Sequence, residues 1–462
     1  MSAPNPAPYY PYRRRSIFGP LVLIALGVVF LLRNMGVISS HAFFYWFGRW
    51  WPVILIALGV VKLLEYTWAR QKGYPPPRLG AGIVVFLVFF IIFGFTTTGL
   101  THVNWGGIGS EIEAENPDFG DFMGGLWGTT YDFTDNFASP VKAASQIKII
   151  ARRGDIRITA SQDDQAHAVL TKKIRSDSQE NANKANAAAQ PKFEQQGGIL
   201  LLDLSGGSYQ RGKFDLDLEL PRQNSLSVST HLGDISIEDR NGNVDASTDR
   251  GDISVEKIKG DVTSHIRHGS FSASNVAGNV ALDGGVNDTT ISDVNGSVNL
   301  SGNFWGSMQL VRVTKQVRFT SSRTELQFAR LDGEFNMEPG SLRASDLVGP
   351  FSMSSTRSNG IHLQDVSGAV QISNRNGPVE VRPKQPLGSL NVSNIHGEID
   401  VTLPANAGFQ LNAESVGGQI QSDFNVNVDN SRNNATANGT VGKGGPEVRL
   451  RADHGTIQVR KQ

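Results

Sequence analysis

Residues 233–304 decide how this chain folds. Set in nines they read GDISIEDRN (233–241), GNVDASTDR (242–250), GDISVEKIK (251–259), GDVTSHIRH (260–268), GSFSASNVA (269–277), GNVALDGGV (278–286), NDTTISDVN (287–295) and GSVNLSGNF (296–304). Glycine opens seven of the eight lines, at 233, 242, 251, 260, 269, 278 and 296, and Asn287 opens the other. Both residue types tolerate the positive φ that a tight corner demands. Apolar residues tend to follow two and four places on, as in Ile253/Val255, Phe271/Ala273 and Val298/Leu300. That is the alternation of a strand with one buried face. A further apolar position seven places after the corner occurs only in every other line, at Ile258, Val276 and Val294. The true repeat is therefore 18 residues, two short strands and two corners. Such a unit cannot bury its apolar face alone, so the units must stack. Ile253, Ile258, Phe271, Val276 and Ile291 are expected to point inward, and Ser254, Ser272 and Ser292 to face water.

The chain has 462 residues, enough for two or more domains. Its 50 glycines exceed the usual ~7%, and the excess lies mostly at such corners. With 43 basic and 43 acidic side chains the formal net charge is zero, which argues against a nucleic-acid partner. Cysteine is absent, so disulfides and thiolate metal sites are excluded.

Residues 1–16 are Pro/Tyr-rich and end in Arg13-Arg14-Arg15, the composition of a disordered cytoplasmic lead. Apolar stretches follow at roughly 17–32, 50–64 and 79–100. The first two repeat each other at an offset of 32, Pro20–Val29 matching Pro52–Val61 almost residue for residue. Each is short for a ~30 Å hydrocarbon core, but flanking aromatics and Arg33 or Lys62 extend it. Three spans are expected within 17–100, with the lipid bilayer as partner. A cleaved signal peptide is the alternative for the first, but no small-residue cleavage site follows it closely. Arg13–Arg15 precede the first span, and Arg70, Lys72 and Arg78 lie between the second and third. From Leu79 to Val141 there are seven acids and no Lys or Arg. The positive-inside rule then puts the N-terminus in the cytoplasm and everything after residue 100 outside, on a cytoplasmic (inner) membrane.

Residues 101–140 form a linker that carries Phe119, Phe122, Trp127, Tyr131, Phe133 and Phe137. Its second half is either a strand capping the solenoid or a flap on the outer leaflet. A first coil, ARRGDIRIT (151–159), has Gly154 at its corner. An insertion at about 163–222 follows, with a strand at Ala168–Ile174 and a helix at Ser178–Ala189, N-capped by Asp177 or Ser178. Ile199–Leu204 and Phe214–Leu220 complete it as a β-hairpin. The repeat resumes from 225 and runs to about 424. Apolar-x-Gly-x-apolar corners recur at Leu347–Phe351, Val366–Val370, Ile395–Ile399 and Val416–Ile420, with a gap of 29 holding Pro383 and Pro386. Residues 425–446 read as an Asn/Gly-rich loop, and Glu447–Arg451 with Thr456–Val459 as a strand pair closing the end.

GPLVLIALGVVFLLRNMG (19–36) and WPVILIALGVVKLLE (51–65) resemble the LiaI/LiaF-like transmembrane region. That resemblance covers about 13–95 and implies a bacterial membrane protein of a kind that includes regulators of cell-envelope stress responses. KKIRSDSQENANKANAAA (172–189), the segment ending LELP (218–221), the repeats and GGPEVRLRADHGTIQV (444–459) are similar to the adhesin-type β-strand-repeat family. This second resemblance covers about 140–462 and implies no common biochemical activity.

Chemistry is sparse. Calcium-binding nonapeptide rolls need GGxGxD, whereas here each line has one corner glycine followed directly by the acid, as at Asp234, Asp252 and Asp261. Asp234 and Asp252 would stack on adjacent coils ~4.8 Å apart. A carboxylate pair that close can supply a general acid. Ser270 and Asp288 continue the column, however, and no basic or aromatic cleft is evident beside it. Support of each residue's own turn is the expected role. His265 and His268 are three apart, with His231 elsewhere, and a metal would need a third ligand in fixed geometry. No nucleophile elbow or phosphate loop appears. No catalytic, cofactor-binding or metal residues are expected, and no cofactor.

The expected fold class is thus an all-β extracytoplasmic domain at 141–462, a parallel β-solenoid with two short strands per ~18–20-residue coil and one α+β insertion, preceded by three transmembrane α-helices. The expected role is a non-enzymatic, adhesin-like scaffold or binding surface in the bacterial cell envelope, its partner an envelope protein or polysaccharide. A stress-signalling regulator acting through the spans, and a carbohydrate-active solenoid enzyme, are the alternatives.

Overall fold

The computed structural model describes residues 50–53, 55–56, 129–141, 146–209, 212–431 and 434–462. The chain falls into two compact units, residues 1–131 with 174–185 and residues 132–173 with 186–462. Residues 50–53, 55 and 56 are helical. Among the described residues no helix is long and apolar enough to cross a membrane. The expected lead, the rest of the three spans and the linker up to 128 lie outside the described residues.

The second unit contains a β-solenoid with two parallel walls. One wall runs through Leu226–Leu232, Val244–Arg250, Val262–His268, Val280–Val286 and Val298–Phe304. The other runs through Ile235–Arg240, Ile253–Ile258, Phe271–Val276, Thr289–Val294 and Met308–Val313. Val244 pairs with Val262 and Ile253 with Phe271, each residue meeting the one 18 places on. Ile253, Ile258, Phe271, Val276 and Ile291 are all at most 2% exposed. Ser254 and Ser272 face water, and Ser292 is half-buried.

The corners are of two kinds, which corrects the single kind expected. Gly233, Gly251 and Gly269 have φ of 142°, 141° and 156°. Gly242, Gly260, Gly278 and Gly296 are not in the left-handed region, yet a Cβ on each would lie 2.1–2.5 Å from a carbonyl oxygen one coil back. Those four glycines serve close approach, not turning. At their edge the left-handed residues are Asp239, Lys257, Asn275 and Asp293, with φ of 55–58°. Strict alternation would turn residue 257 inward after Val255. The left-handed Lys257 instead delivers Ile258 to the core, which is why the extra apolar position falls seven places after the corner.

Both ends are built differently from the expectation. Gln146–Arg153 lies between Leu226–Leu232 and Ile199–Leu204, and Ile156–Ala160 between Ile235–Arg240 and Gly212–Leu220. Residues 199–204 and 212–220 are therefore one parallel coil laid against 146–160, not a hairpin with each other, and Gln165–Ser176 and then Thr129–Pro140 pair beyond 212–220. Apolar alternation is the same in either arrangement, so the sequence could not separate them. The hairpin present joins Phe193–Gln196 to Ile199–Leu204 through Gly197 and Gly198. The helix Gln179–Ala188 is where expected, the Asn181 N–H donating to Ser178 Oγ at 3.3 Å. The strand Thr129–Pro140 is tied in at this end. Its Asp135 meets the fully buried Lys172, whose Nζ also donates to Asn186 Oδ1 and Ala189 O, and Phe137 packs on Phe193 at 5.2 Å. Arg240 fills a core position that Ile258 holds one coil on. Its guanidinium donates to the carbonyls of Leu220, Pro221 and Asn224, clipping the crossover that carries the chain from Gly212–Leu220 past residues 146–160 to Leu226–Leu232. Burial brings its pKa down to about 10.

At the other end Glu447–His454 lies between Val379–His396 and Phe409–Ser415, and Ile457–Lys461 between Ile399–Leu403 and Ile420–Ser422. The final strand pair is an interior coil and does not close the end. Residues 425–446 are no loop. Asn427–Ser431 and Asn434–Val441 form a hairpin, and its second strand runs antiparallel to Phe409–Ser415. The side chain of Asn430 accepts from the Ile420 N–H and donates to the Ile420 carbonyl, covering the edge of the other wall.

Between these ends one coil is traversed backwards. Val317–Ser321 runs parallel to Val298–Phe304, but Thr324–Phe328 returns antiparallel to it, and Arg330–Glu338 runs antiparallel to Met308–Val313. Ser341–Ser345 and Phe351–Ser355 then restore the original direction. The 29-residue gap has a related cause. Val366 and Val370 turn at one edge of the solenoid, Ile395 and Ile399 at the opposite edge. In addition, the run from Pro383 to Leu390 spans the ladder that Val366 to Val370 spans on its neighbour.

Candidate functional site

The reversed coil leaves an opening. Elsewhere each coil passes from one wall to the other at this edge, as at 304–308. Here Val317–Ser321 and Thr324–Phe328 are joined by a turn within one wall, and Arg330–Glu338 and Ser341–Ser345 by a turn at Pro339-Gly340 within the other. No strand crosses between the walls at this edge from the corner at 304–308 to the corner at 355–361. The result is a seam holding a cleft of about 500 Å³.

Its floor is the core seen end-on, with Phe319, Leu342 and Met353 buried and Phe304 and Met337 half-buried. Its rim carries Ser321, Thr324, Ser341 and Asn359 together with Arg323, Arg357 and Glu338. Among the described residues, no carboxylate pairs with the guanidinium of Arg323 or Arg357. At one end stands Trp305, 54% exposed, stacked on the His268 ring at 6.1 Å and 11°. It is also the residue that lengthens this coil to 19, since Thr289 pairs with Met308 and Val298 with Val317.

The acidic column runs toward this seam. Asp252 Oδ1 accepts the Ser270 N–H at 2.7 Å, and the Asp252 N–H donates to Asp234 Oδ1 at 2.8 Å. Each carboxylate therefore supports the next coil's backbone, which corrects the expectation that it supports its own turn. Asp288 closes the column, accepting from the Ser307 N–H and hydroxyl at 2.7 and 2.8 Å, and those two bonds hold its carboxyl below the usual range. Ser307 is two residues from Trp305, so an aromatic, arginine-bearing cleft does adjoin the column's end. The folded pKa is depressed, so the contribution of Asp288 to stability is present above the unfolded value near ~3.9 and is lost as pH falls through the lower folded value. In pH-dependent thermal unfolding, Asp288→Asn should flatten the acid limb. Asp252→Asn, which keeps the accepting Oδ1, should shift the midpoint at neutral pH little, while Asp252→Ala should cost about 0.5–1.5 kcal/mol.

The histidines are dispersed. His231 pairs with Asp249, His265 with Asp283 at 3.2 Å, and His268 stacks on Trp305. Among the described residues no group of three or more His, Cys, Asp or Glu is placed to hold a metal.

A second, shallower cleft of about 320 Å³ includes Arg343, His362, Glu380 and Arg382. The hydrogen bond from His362 at 2.9 Å holds Glu380 low, with Arg382 adding to it. On the next coil Asp400, in register with Glu380, is pushed up by burial and bonded to Arg460 at 3.1 Å. These carboxylates are engaged by protein cations, whereas among the described residues no carboxylate engages the arginines of the seam.

Three solved structures resemble the chain. A proposed cell adhesion protein from Clostridium sporogenes is 11% identical, with TM-score 0.18, over 72% of this chain and 100% of that one. Proposed adhesins from Parabacteroides distasonis (8%, TM-score 0.19, 72% and 97%) and Bacteroides fragilis (13%, TM-score 0.17, 71% and 97%) follow. No curated protein matches. Residues 17–63 match the LiaI-LiaF-like transmembrane region. The Toastrack DUF4097 model matches residues 144–460, most of the chain and all of the solenoid's coils, and the chain belongs to that family.

Proposed function

We propose that this protein is a membrane-anchored, non-enzymatic binding surface of the bacterial cell envelope. Three spans within 17–100 hold it in the cytoplasmic membrane with its N-terminus inside, residues 101–140 form the linker and the solenoid cap, and the solenoid domain of 141–462 lies outside. The observation that carries the binding role is the seam, where the regular wall is interrupted and a tryptophan and two arginines with no carboxylate partner among the described residues are left in solvent. The partner is an envelope polysaccharide. In the test, full-length protein in nanodiscs is sedimented with insoluble envelope polysaccharide from the source cells, alongside reporter fusions at residues 72 and 462. Co-sedimentation and opposite sidedness of the two reporters are expected. Protein that stays in the supernatant would overturn the binding role, and two cytoplasmic reporters the topology.

The match at 17–63 favours a second reading, a regulator of envelope stress acting through that segment. Deleting residues 13–100 separates the two. A scaffold secreted by other means would still bind its target, while a regulator would lose its effect.

A further inference from the structure

We propose that the seam takes an acidic saccharide, a sugar chain bearing carboxylate or phosphate groups. One ring would stack on Trp305, with the anionic groups drawn to Arg323 and Arg357. This rests on the reading of the domain as an envelope binding surface.

Three features of the cleft point to that ligand class. Trp305 is a platform already held in place. His268 stacks on it at 6.1 Å, and Gly285 leaves room beside it, since a Cβ there would lie 2.8 Å from the indole ring. A ring so fixed loses little freedom on binding, and more than half of it remains open. The rim supplies hydroxyl and amide groups from Ser321, Thr324, Ser341 and Asn359, the partners that sugar hydroxyls need. Among the described residues the charges on it are Arg323, Arg357 and Glu338, a net excess of one positive charge, and no described carboxylate pairs with either guanidinium. A hydrophobic peptide fits less well. Phe319, Leu342 and Met353 stay buried, so the apolar surface the floor offers such a peptide is confined to the half-buried Phe304 and Met337. The seam is also bounded by turns, not by an open strand edge that could add a strand.

The test is calorimetry on the full-length protein in nanodiscs with four probes: hexagalacturonate, a phosphate-bearing polyol oligomer, a neutral hexasaccharide and inorganic phosphate. At least one acidic oligomer should bind more tightly than the neutral chain by about tenfold, which corresponds to ~1.4 kcal/mol. Which of the two acidic oligomers binds identifies the source of the charge. Trp305→Ala should weaken binding about tenfold or more. The double variant Arg323→Gln, Arg357→Gln should erase the acidic preference while leaving the neutral chain's affinity unchanged. All three positions are exposed, so unfolding midpoints should match wild type.

Equal affinity for acidic and neutral chains would overturn the ligand class, and equal affinity for inorganic phosphate would reduce the site to an anion trap. Unchanged binding by Trp305→Ala would overturn the location. If the protein co-sediments with envelope polysaccharide but none of the probes binds, the inference fails and the envelope reading stands. If it does not co-sediment either, both fail.

Discussion

Deleting residues 446–462 should unfold the C-terminal part of the domain, although only the last seventeen residues of the chain are removed. They supply an interior coil. Val448 lies between Leu390 and Leu411, and Ile457 between Ile399 and Ile420, so the deletion strands residues 409–441 without a wall to pair with. Val448, Leu450, Ile457 and Val459 are at most 1% exposed. Each such side chain is worth about 1.5–3 kcal/mol on burial, so the four together contribute up to ~6–12 kcal/mol, an upper bound set against an extended unfolded chain. That is comparable with the whole stability of an ordinary domain. Coils interact mainly with their neighbours, so the damage should be graded along the solenoid. In hydrogen exchange on the chain lacking 446–462, compared with the full chain, residues 409–441 should lose protection completely, residues 379–403 in part, and residues 244–294 hardly at all. Retained protection at 409–441 would mean that the last coil is held some other way and that the order of strands here is wrong.

The regular coils were legible because their information is local. Eight successive nonads place a glycine, once an asparagine, at the same spacing, and Phe271 or Val276 can be placed inward by counting from Gly269. Direction and stacking order are not local. Nothing in Ile199–Leu204 distinguishes a strand paired with its sequence neighbour from one laid against Gln146–Arg153, because burial alternates the same way in both. The C-terminal coil was misplaced for the same reason. Asn434–Val441 was missed because its polar run lacks the apolar density of a core strand, although Ala435 and Ala437 are fully buried. The reversed coil did carry signals. Glu338-Pro339-Gly340-Ser341 is a turn sequence out of phase with the corners, and Trp305 breaks the period of 18 where the irregularity begins. The seam could not be seen from either alone. It depends on two turns in different walls lying beside one another, a juxtaposition that only the stacking of coils creates.

Gly269→Val should be the most damaging single substitution among the regular coils. Gly269 has φ of 156°, and a Cβ built there would lie 1.9 Å from the Gly251 carbonyl oxygen and 2.7 Å from its carbon. Both obstacles are backbone, so no side chain can rotate away. Gly251 cannot retreat either, because its own Cβ position is 2.1 Å from the Gly233 oxygen, and the same contact recurs from Gly233 to Gly154. The glycines form a column in which each closes the space of the next. Backbone strain in the left-handed region costs of order 1–3 kcal/mol and overpacking a similar amount, so Gly269→Ala should cost about 2–6 kcal/mol and Val more. Gly278→Ala separates the two contributions. It meets a carbonyl oxygen at 2.3 Å without a left-handed φ, so it should cost less than Gly269→Ala by roughly the conformational share, ~1–2 kcal/mol. Thermal unfolding of the full-length variants, followed by β-sheet circular dichroism, gives the order Gly269→Val, Gly269→Ala, Gly278→Ala, Asp252→Asn from most to least damaging. Equal losses at 269 and 278 would assign the whole effect to crowding and none to φ. If Asp252→Asn instead headed the series, the acidic column would be doing more than accepting the next coil's N–H, and a chemical role for it beside the seam would have to be considered.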